Sequence, residues 1–210
     1  MTIGKWLFDI VLVLLLAGLL ALPFGCLLLV LRLREGPGLF HVSERMRGVD
    51  RPFLLWKLRT MRPASGGGDS GVTGADKTDR ITPMGHRLRR LRLDEIPQLW
   101  NVLRGDMSLV GPRPPLRQYV ERFPDLYAQV LLSRPGVTGL ASLHFHRHEE
   151  WLLARCRTAA ETDRVYADLC VPRKAALDLI YQRHASLCLD MMLLWRTAVR
   201  VLPGRGRSGG

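Results

Sequence analysis

The sequence predicts a mainly α-helical protein with one small β-hairpin, attached to a membrane through its N-terminal segment. Three observations carry that expectation. Residues 10–31 hold no charged side chain over 22 positions, and about 20 apolar residues suffice to cross a bilayer core. Most segments beyond residue 83 repeat apolar residues at helical spacing. Residues 36–62 instead read as two short apolar runs around a turn, Arg47-Gly48-Val49-Asp50, which is a hairpin pattern.

The N-terminal run is not a cleaved signal peptide. Asp9 stands where a positive flank is needed, and the run exceeds the usual apolar stretch of about 7–15 residues. Two geometries remain open on the residues alone. One is a straight spanning helix. The other uses Pro23, flanked by Gly18 and Gly25, to join two half-helices, residues 6–22 and 24–33, that enter and leave on the same side. A proline inside a helix removes one backbone hydrogen bond, and in lipid the freed carbonyl needs another partner. Lys5 precedes the run and Arg32 and Arg34 follow it, so both ends can lie on the cytoplasmic face.

Further along, Gly36-Pro37-Gly38 breaks the chain before the hairpin. Residues 63–80, with Gly66-Gly67-Gly68, read as a mobile surface loop. Residues 83–93 resume a helix in which Met84, Leu88 and Leu91 share a face and Arg87, Arg89, Arg90 and Arg92 crowd the others. That is the pattern of a solvated basic helix or of one lying at a membrane interface. Pro97 favours a helix start and Gly105 a stop, giving a helix over 97–103. Gly111-Pro112-Arg113-Pro114-Pro115 is stiff and non-helical. Helices are predicted over 116–132, 148–163 and 172–200, and a frayed tail over 203–210.

The balance of 31 Lys plus Arg against 19 Asp plus Glu gives a net charge of +12. Such a surface seeks polyanions: nucleic acid, anionic lipid or phosphorylated substrates. The apolar run excludes an ordinary soluble domain. Nucleic acid is disfavoured, because no zinc finger, RNP-like stretch or clear helix-turn-helix is present. The four cysteines form no CxxC pair and read as reduced thiols. His144, His146 and His148 alternate, which on a strand would place them on one side as metal ligands; a polar surface segment is the simpler reading.

The informative stretch is Leu93-Asp94-Glu95-Ile96-Pro97-Gln98. Two carboxylates precede a helix N-terminus, which favours negative charge. Arginines lie just upstream, and Arg113 sits between two prolines downstream. Neighbouring carboxylates point in different directions and make a poor facing acid/base pair. Guanidiniums grip phosphate oxygens, and a carboxylate can attack phosphorus. A divalent metal, most naturally magnesium, would screen their repulsion. An ordinary helix-cap role is the alternative.

These residues carry a resemblance. The chain resembles the bacterial sugar transferase family, the monotopic polyprenyl-phosphate phosphoglycosyl transferases, in its minimal catalytic form. The matching pieces are Lys5 with Phe8-Asp9, Gly36-Pro37, Lys57-Leu58-Arg59-Thr60-Met61, Asp79-Arg80-Ile81-Thr82, residues 93–102, residues 105–114 and Arg134-Pro135-Gly136-Val137-Thr138-Gly139. A C-terminal pattern of Tyr166, Pro172, Lys174, Asp178, Tyr181 and Asp190 is similar too. The resemblance implies transfer of a sugar-1-phosphate from a nucleotide sugar, usually of uridine, to a polyprenyl phosphate such as undecaprenyl phosphate. A nucleoside monophosphate is released, and the reaction opens the assembly of an exopolysaccharide, O-antigen or other glycoconjugate. It implies Asp94 as nucleophile, Glu95 in support, and magnesium as cofactor near Asp94. It implies Arg113, Arg89, Lys57 and Arg59 as groups that hold substrate phosphate.

The resemblance also implies a re-entrant membrane helix broken at Pro23. The expected architecture is therefore a membrane hairpin over 1–34, a catalytic domain over 35–202 with interfacial amphipathic helices, and the tail. The expected place is the cytoplasmic face of the bacterial inner membrane, with anionic lipid as a partner and room for a homodimer. Two departures stand out. Leu22 occupies a position often Ser before the proline, and Arg92 another that is often Ser.

Overall fold

The computed structural model describes residues 2–62 and 79–201. The glycine-rich loop and the tail expected from sequence lie outside the described residues, apart from Asp79 and Arg80. Helix α1 runs over Ile3–Glu35. Strands β1 (Phe40–Met46) and β2 (Pro52–Leu58) form an antiparallel hairpin, with Phe40 opposite Leu58 and Met46 opposite Pro52. Then come α2 (Pro83–Arg90), a 3₁₀ turn (Leu93–Glu95), α3 (Gln98–Leu103) and β3 (Ser108–Val110). Helices α4 (Arg117–Arg122) and α5 (Pro124–Val130) lead to β4 (Gly136–Thr138). Helices α6 (Leu140–His144), α7 (His146–Leu153) and α8 (Ala159–Val165) follow. A π-helical turn (Tyr166–Cys170), α9 (Val171–His184) and α10 (Leu187–Val201) complete the order.

Local chemistry explains the boundaries. The Thr2 hydroxyl accepts from Lys5 N at the start of α1, and the Thr82 hydroxyl accepts from Gly85 N at the start of α2, ahead of Pro83. Gly105, at φ +78°, ends α3. The long helices expected over 116–132, 148–163 and 172–200 are each divided. Pro124 opens α5 because its missing N–H costs nothing in a first turn. Thr158 caps α8 through Glu161 N, and extended Ala185 stops α9.

Helix α1 is continuous through Pro23, not two separate half-helices. A single proline deletes one hydrogen bond, and the apolar residues on both sides hold the remaining ladder. The helix touches the rest of the chain at both ends. Near its start, Asp9 and Val13 are buried. The Ser108 hydroxyl donates to Asp9 Oδ2 at 2.6 Å. Lys5 Nζ donates to Asp190 Oδ2 of α10 at 2.6 Å, and the Tyr181 hydroxyl of α9 donates to the other oxygen at 2.6 Å. Near its end, Leu31 packs with Leu58 and Leu88, and Phe24, Leu27 and Leu28 support them. Between these docks the helix is bare, with Leu19 74% and Leu22 78% exposed.

The main core joins Phe53 and Leu55 of β2 to Val102, Leu109, Leu143, Tyr181 and Leu193. Asn101 stitches α3 to β2: its side-chain amide donates to Leu54 O at 2.7 Å and its oxygen accepts from Trp56 N at 3.1 Å. The short parallel pair β3–β4 was not foreseen. Ser108 faces Gly136 and Val110 faces Thr138. The pairing needs glycine, since a Cβ at Gly111 would collide with Arg134 O, and one at Gly139 with Gly111 O. This crossing holds the Pro-Arg-Pro segment against the core.

The docking of α1 is testable. The Asp190 side chain is 1% exposed and that of Lys5 15%, so Lys5→Met leaves a buried carboxylate with its Tyr181 hydrogen bond but no counter-charge. A loss of about 3 kcal/mol in unfolding free energy is expected. The double variant Lys5→Met/Asp190→Leu should recover most of it. Equal stability of the single variant and the parent would show that α1 is not anchored through this pair.

Candidate active site

Asp94 and Glu95 share one 3₁₀ turn and have opposite surroundings. Both are nearly buried, at 8% and 7% exposed. Glu95 is saturated. Its Oε1 accepts from Lys57 Nζ at 3.2 Å and from Arg113 Nη1 at 3.4 Å. Its Oε2 accepts from Arg92 Nη2 at 2.5 Å and Nε at 3.0 Å. Burial alone would push this carboxyl up, but Lys57, Arg113 and Arg92 outweigh it and hold it far below the usual range.

Asp94 accepts no hydrogen bond from any described residue. Burial pushes its carboxyl above the ordinary value, and Glu95 adds to that, while Lys57, Arg89 and Arg113 pull against it from a distance. One carboxylate is therefore a fixed ionic anchor. The other is an unoccupied oxygen pair in a cationic field.

The elements around the turn explain this asymmetry. Arg92 takes a left-handed conformation, φ 52° and ψ 22°, which folds the chain back between α2 and the turn. Its guanidinium then reaches Glu95 three residues on, and also Val137 O at 3.2 Å. Lys57 comes from the last residues of β2. Burial lowers its pKa and Glu95 partly restores it. Arg113 comes from the stiff segment after β3, with its side chain 43% exposed at the mouth. Arg89 donates through Nε to the Thr60 hydroxyl at 2.9 Å, which turns its guanidinium toward the Asp94 side of α2.

Of the residues expected at the site, Asp94, Glu95, Lys57, Arg89 and Arg113 come together. Arg59 is held elsewhere: its Nη2 donates to Glu35 O, at the C-terminal end of α1, at 3.3 Å. Pro23 lies far along α1 from this group. His144, His146 and His148 sit at the end of α6 and the start of α7, and all three are exposed. No strand aligns them, and among the described residues no group of three potential ligands could hold a metal ion. His146 pairs with Glu150 at 3.4 Å.

Two contributions were missed from sequence. Arg45, near the end of β1, carries a recessed guanidinium whose pKa burial and nearby Arg113 lower to about 10. Arg113 is balanced by Glu95, whereas Arg45 adds a further positive charge beside it. Its only sequence signal is its position before the hairpin turn. Lys174, which feels the charge of Arg113, donates from Nζ to both Glu149 oxygens at 3.0 and 3.1 Å and to Tyr166 Oη at 3.1 Å. The acidic and aromatic groups at this wall balance the cations.

A magnesium ion can be met by the unbonded oxygen of Asp94, but not by Glu95, whose oxygens are taken. One carboxylate plus substrate phosphates and water is an ordinary environment for magnesium.

Comparison with known proteins shows the family of the chain. The model of the family described as bacterial sugar transferase matches residues 1–204. The chain is 33% identical to the uncharacterized sugar transferase EpsL of Bacillus subtilis (strain 168), covering 84% of this chain and 76% of that protein. It is 34% identical to a UDP-N-acetylgalactosamine-undecaprenyl-phosphate N-acetylgalactosaminephosphotransferase of Aeromonas hydrophila, over 91% of this chain and 43% of that protein. It is 43% identical to a UDP-glucose:undecaprenyl-phosphate glucose-1-phosphate transferase of Caulobacter vibrioides, over 71% of this chain and 59% of that protein. The chain thus spans less than two thirds of the latter two relatives.

The contrast between the two carboxylates predicts opposite effects on stability. A carboxyl whose pKa is raised by folding destabilises the fold once ionised, so Asp94→Asn should leave the melting temperature unchanged or higher at pH 7.5. Glu95→Gln removes the shared counter-charge of Lys57, Arg92 and Arg113. A loss of about 2 kcal/mol is expected, less than for a fully enclosed pair because Arg113 is open to water. Thermal unfolding of both variants at low salt checks the pair. Equal losses would mean the carboxylates are not differentiated.

Proposed function

The chain belongs to the bacterial sugar transferase family, and on that footing we propose that it moves a sugar-1-phosphate from a UDP-sugar to undecaprenyl phosphate. The observation that carries the mechanism is the unbonded Asp94 carboxylate beside a fully paired Glu95. An Asp94 oxygen attacks the sugar-bearing phosphorus. The bond from that phosphorus to the bridging oxygen breaks, and uridine monophosphate leaves. The sugar phosphate stays on Asp94 as an acyl phosphate. A phosphate oxygen of the lipid then attacks the same phosphorus, releasing the Asp94 carboxylate and giving the lipid diphosphate sugar.

The other residues divide the remaining labour. Arg113, which keeps donors free beyond its one bond to Glu95, and the neighbouring Arg45 face the donor phosphates. Arg89 and Lys57 hold the field around the phosphoryl oxygens as charge develops. Glu95 keeps Lys57, Arg92 and Arg113 in place. Magnesium, held by Asp94 and the diphosphate, would screen the charge between carboxylate and phosphate.

We also assign α1 a re-entrant rather than spanning course. Roughly ten residues lie between the docks at Val13 and Phe24, which at the helical rise is about 15 Å. A bilayer core is about 30 Å thick. Both helix ends rest on the same domain, so the bare stretch reaches into one leaflet. Within this continuous helix, Pro23 and Gly18 are where the ladder is weakest and where we place a bend in the bilayer. On α10, Leu187, Met191 and Trp195 form an exposed stripe at successive turns. With exposed Trp6 and Trp100 this suits the interface of the cytoplasmic leaflet. Anionic lipid there would account for much of the +12 charge.

Release of uridine monophosphate, measured with magnesium, undecaprenyl phosphate and a panel of UDP-sugars, tests the reaction. Asp94→Asn should abolish release, and Arg113→Ala should lower it about 100-fold. Full release by Asp94→Asn would remove the nucleophile assignment. Because Asp94 must be ionised to attack and its pKa is raised, the acid limb of kcat/KM should lie above the ordinary aspartate value of about 3.9. Activity would therefore be lost as pH falls, earlier than for an exposed aspartate. In spheroplasts, tags at both termini should resist labelling from outside; an externally labelled N-terminus would restore a full span.

A further inference from the structure

A second basic cavity lies away from Asp94, at the C-terminal end of α1. Arg34, Arg59, Arg62 and Arg87 line a space of about 550 Å³, together with Met61 and Met84. The one acid on its wall, Glu35, accepts at Oε1 from the Thr82 hydroxyl at 2.8 Å. Arg59 is tied to the Glu35 carbonyl. Among the described residues no carboxylate pairs with Arg34, Arg62 or Arg87. Four guanidiniums therefore line a volume that holds, among the described residues, a single carboxylate, Glu35, and an external anion would relieve the surplus. Guanidiniums grip phosphate oxygens in particular.

The apolar surroundings narrow the class of ligand. The cavity opens where the apolar run of α1 ends. Leu29 and Leu33, in the turns of α1 that lead to Arg34, are exposed, and Met61, Pro83 and Met84 stand among its arginines. A soluble phosphate would gain nothing from these groups. An anionic head on an apolar chain would use both. The site is separated from the nucleophile by α2. Met84 and Arg87, one turn apart, line the cavity, Leu88 is buried in the small core with Leu31 and Leu58, and Arg89 on the other side faces Asp94.

We propose that this cavity binds the phosphate headgroup of a membrane lipid, whose chain lies along the exposed face of α1. The lipid phosphate would then sit about one helix diameter, on the order of 10 Å, from the Asp94 side of α2. The headgroup could come from the polyprenyl phosphate acceptor, waiting for its turn at Asp94, or from a bulk anionic phospholipid that fixes the depth of α1. The proposal rests on the membrane-bound reading of α1.

The test uses the full chain in phosphatidylcholine nanodiscs containing either phosphatidylglycerol or undecaprenyl phosphate. Native mass spectrometry counts the retained lipid for the parent and for Arg62→Ala/Arg87→Ala, with thermal unfolding as a control for folding. The parent should hold one phosphate-headed lipid that the variant holds at least about tenfold more weakly. Loss of undecaprenyl phosphate, with a raised KM for the acceptor but not for the UDP-sugar, would mark it as an acceptor site. Loss of phosphatidylglycerol with both KM values unchanged would mark a bulk-lipid site. Equal retention by parent and variant would overturn the proposal, as would displacement of the lipid by an equal concentration of inorganic phosphate. The readout is lipid retention, so absence of uridine monophosphate release would sink the transferase reading while leaving this one to be decided separately.

Discussion

The grip of three cations on Glu95 is the constraint from which the site follows. Lys57, Arg92 and Arg113 come from a hairpin strand, a left-handed turn and a proline-stiffened segment, and one carboxylate binds all three. A buried carboxylate without partners would cost several kcal/mol. Its pairing instead fixes the relative positions of segments more than 50 residues apart in sequence. Arg113 contributes a single long bond of 3.4 Å, so most of its donors remain available at the mouth. The same turn that faces Glu95 inward leaves Asp94 without a hydrogen-bond partner among the described residues. The difference between the anchor and the proposed nucleophile thus arises from one turn of backbone.

A second dependency links this turn to the membrane helix. Strand β3 is gripped by α1 through Ser108 and Asp9. The Tyr181 hydroxyl lies 3.2 Å from Val110 O at the end of that strand and is shared with Asp190, the partner of Lys5. One residue later the chain crosses β4 at Gly111, where no Cβ is tolerated, and Arg113 follows. The depth of α1 and the position of Arg113 therefore share a rigid frame. A shift of α1 would carry Arg113, the arginine proposed to face phosphate, with it.

The sequence made the chemistry legible where it was written in adjacent residues. Asp94-Glu95, the rigid Pro-Arg-Pro and the uncharged run can each be read without a partner. The hairpin turn was equally plain, since apolar runs flank Arg47-Gly48-Val49-Asp50, and Arg47 N does bond Arg51 O. Other features depend on distant partners. Strands β3 and β4 are three residues long, too short for any period to show. Arg45 becomes significant only when β1 and the loop after β3 bring it near Arg113. Arg59 belongs to the same motif as Lys57, yet two residues further on the strand has ended and the chain is turning toward α1. Arg92 was visible as a departure from the family pattern, but its role needed the left-handed turn, which no helical or strand periodicity reveals. The histidines fit the simpler reading: their alternation would group them on a strand, but they are exposed, and Phe145 between them is a buried helix junction.

The local electrostatics also bear on why two neighbouring carboxylates serve the proposed reaction better than one. A single aspartate among these cations would be drawn into a salt bridge, with its lone pairs committed to N–H donors and its pKa pulled down, and such an oxygen is a poor nucleophile. Glu95 takes the close contacts in its place, so the cations act on Asp94 only across space. They still favour the ionised form that attack requires, while burial keeps that form reactive by denying it water. The frame is also indifferent to which phosphate arrives. In the proposed sequence the soluble donor and the lipid acceptor meet the same phosphorus in turn, and neither has to displace Glu95. A site that must accept one phosphate from water and another from a bilayer needs fixed cations and a free carboxylate at a fixed depth. The paired Glu95 supplies the first two, and the docked ends of α1 supply the third.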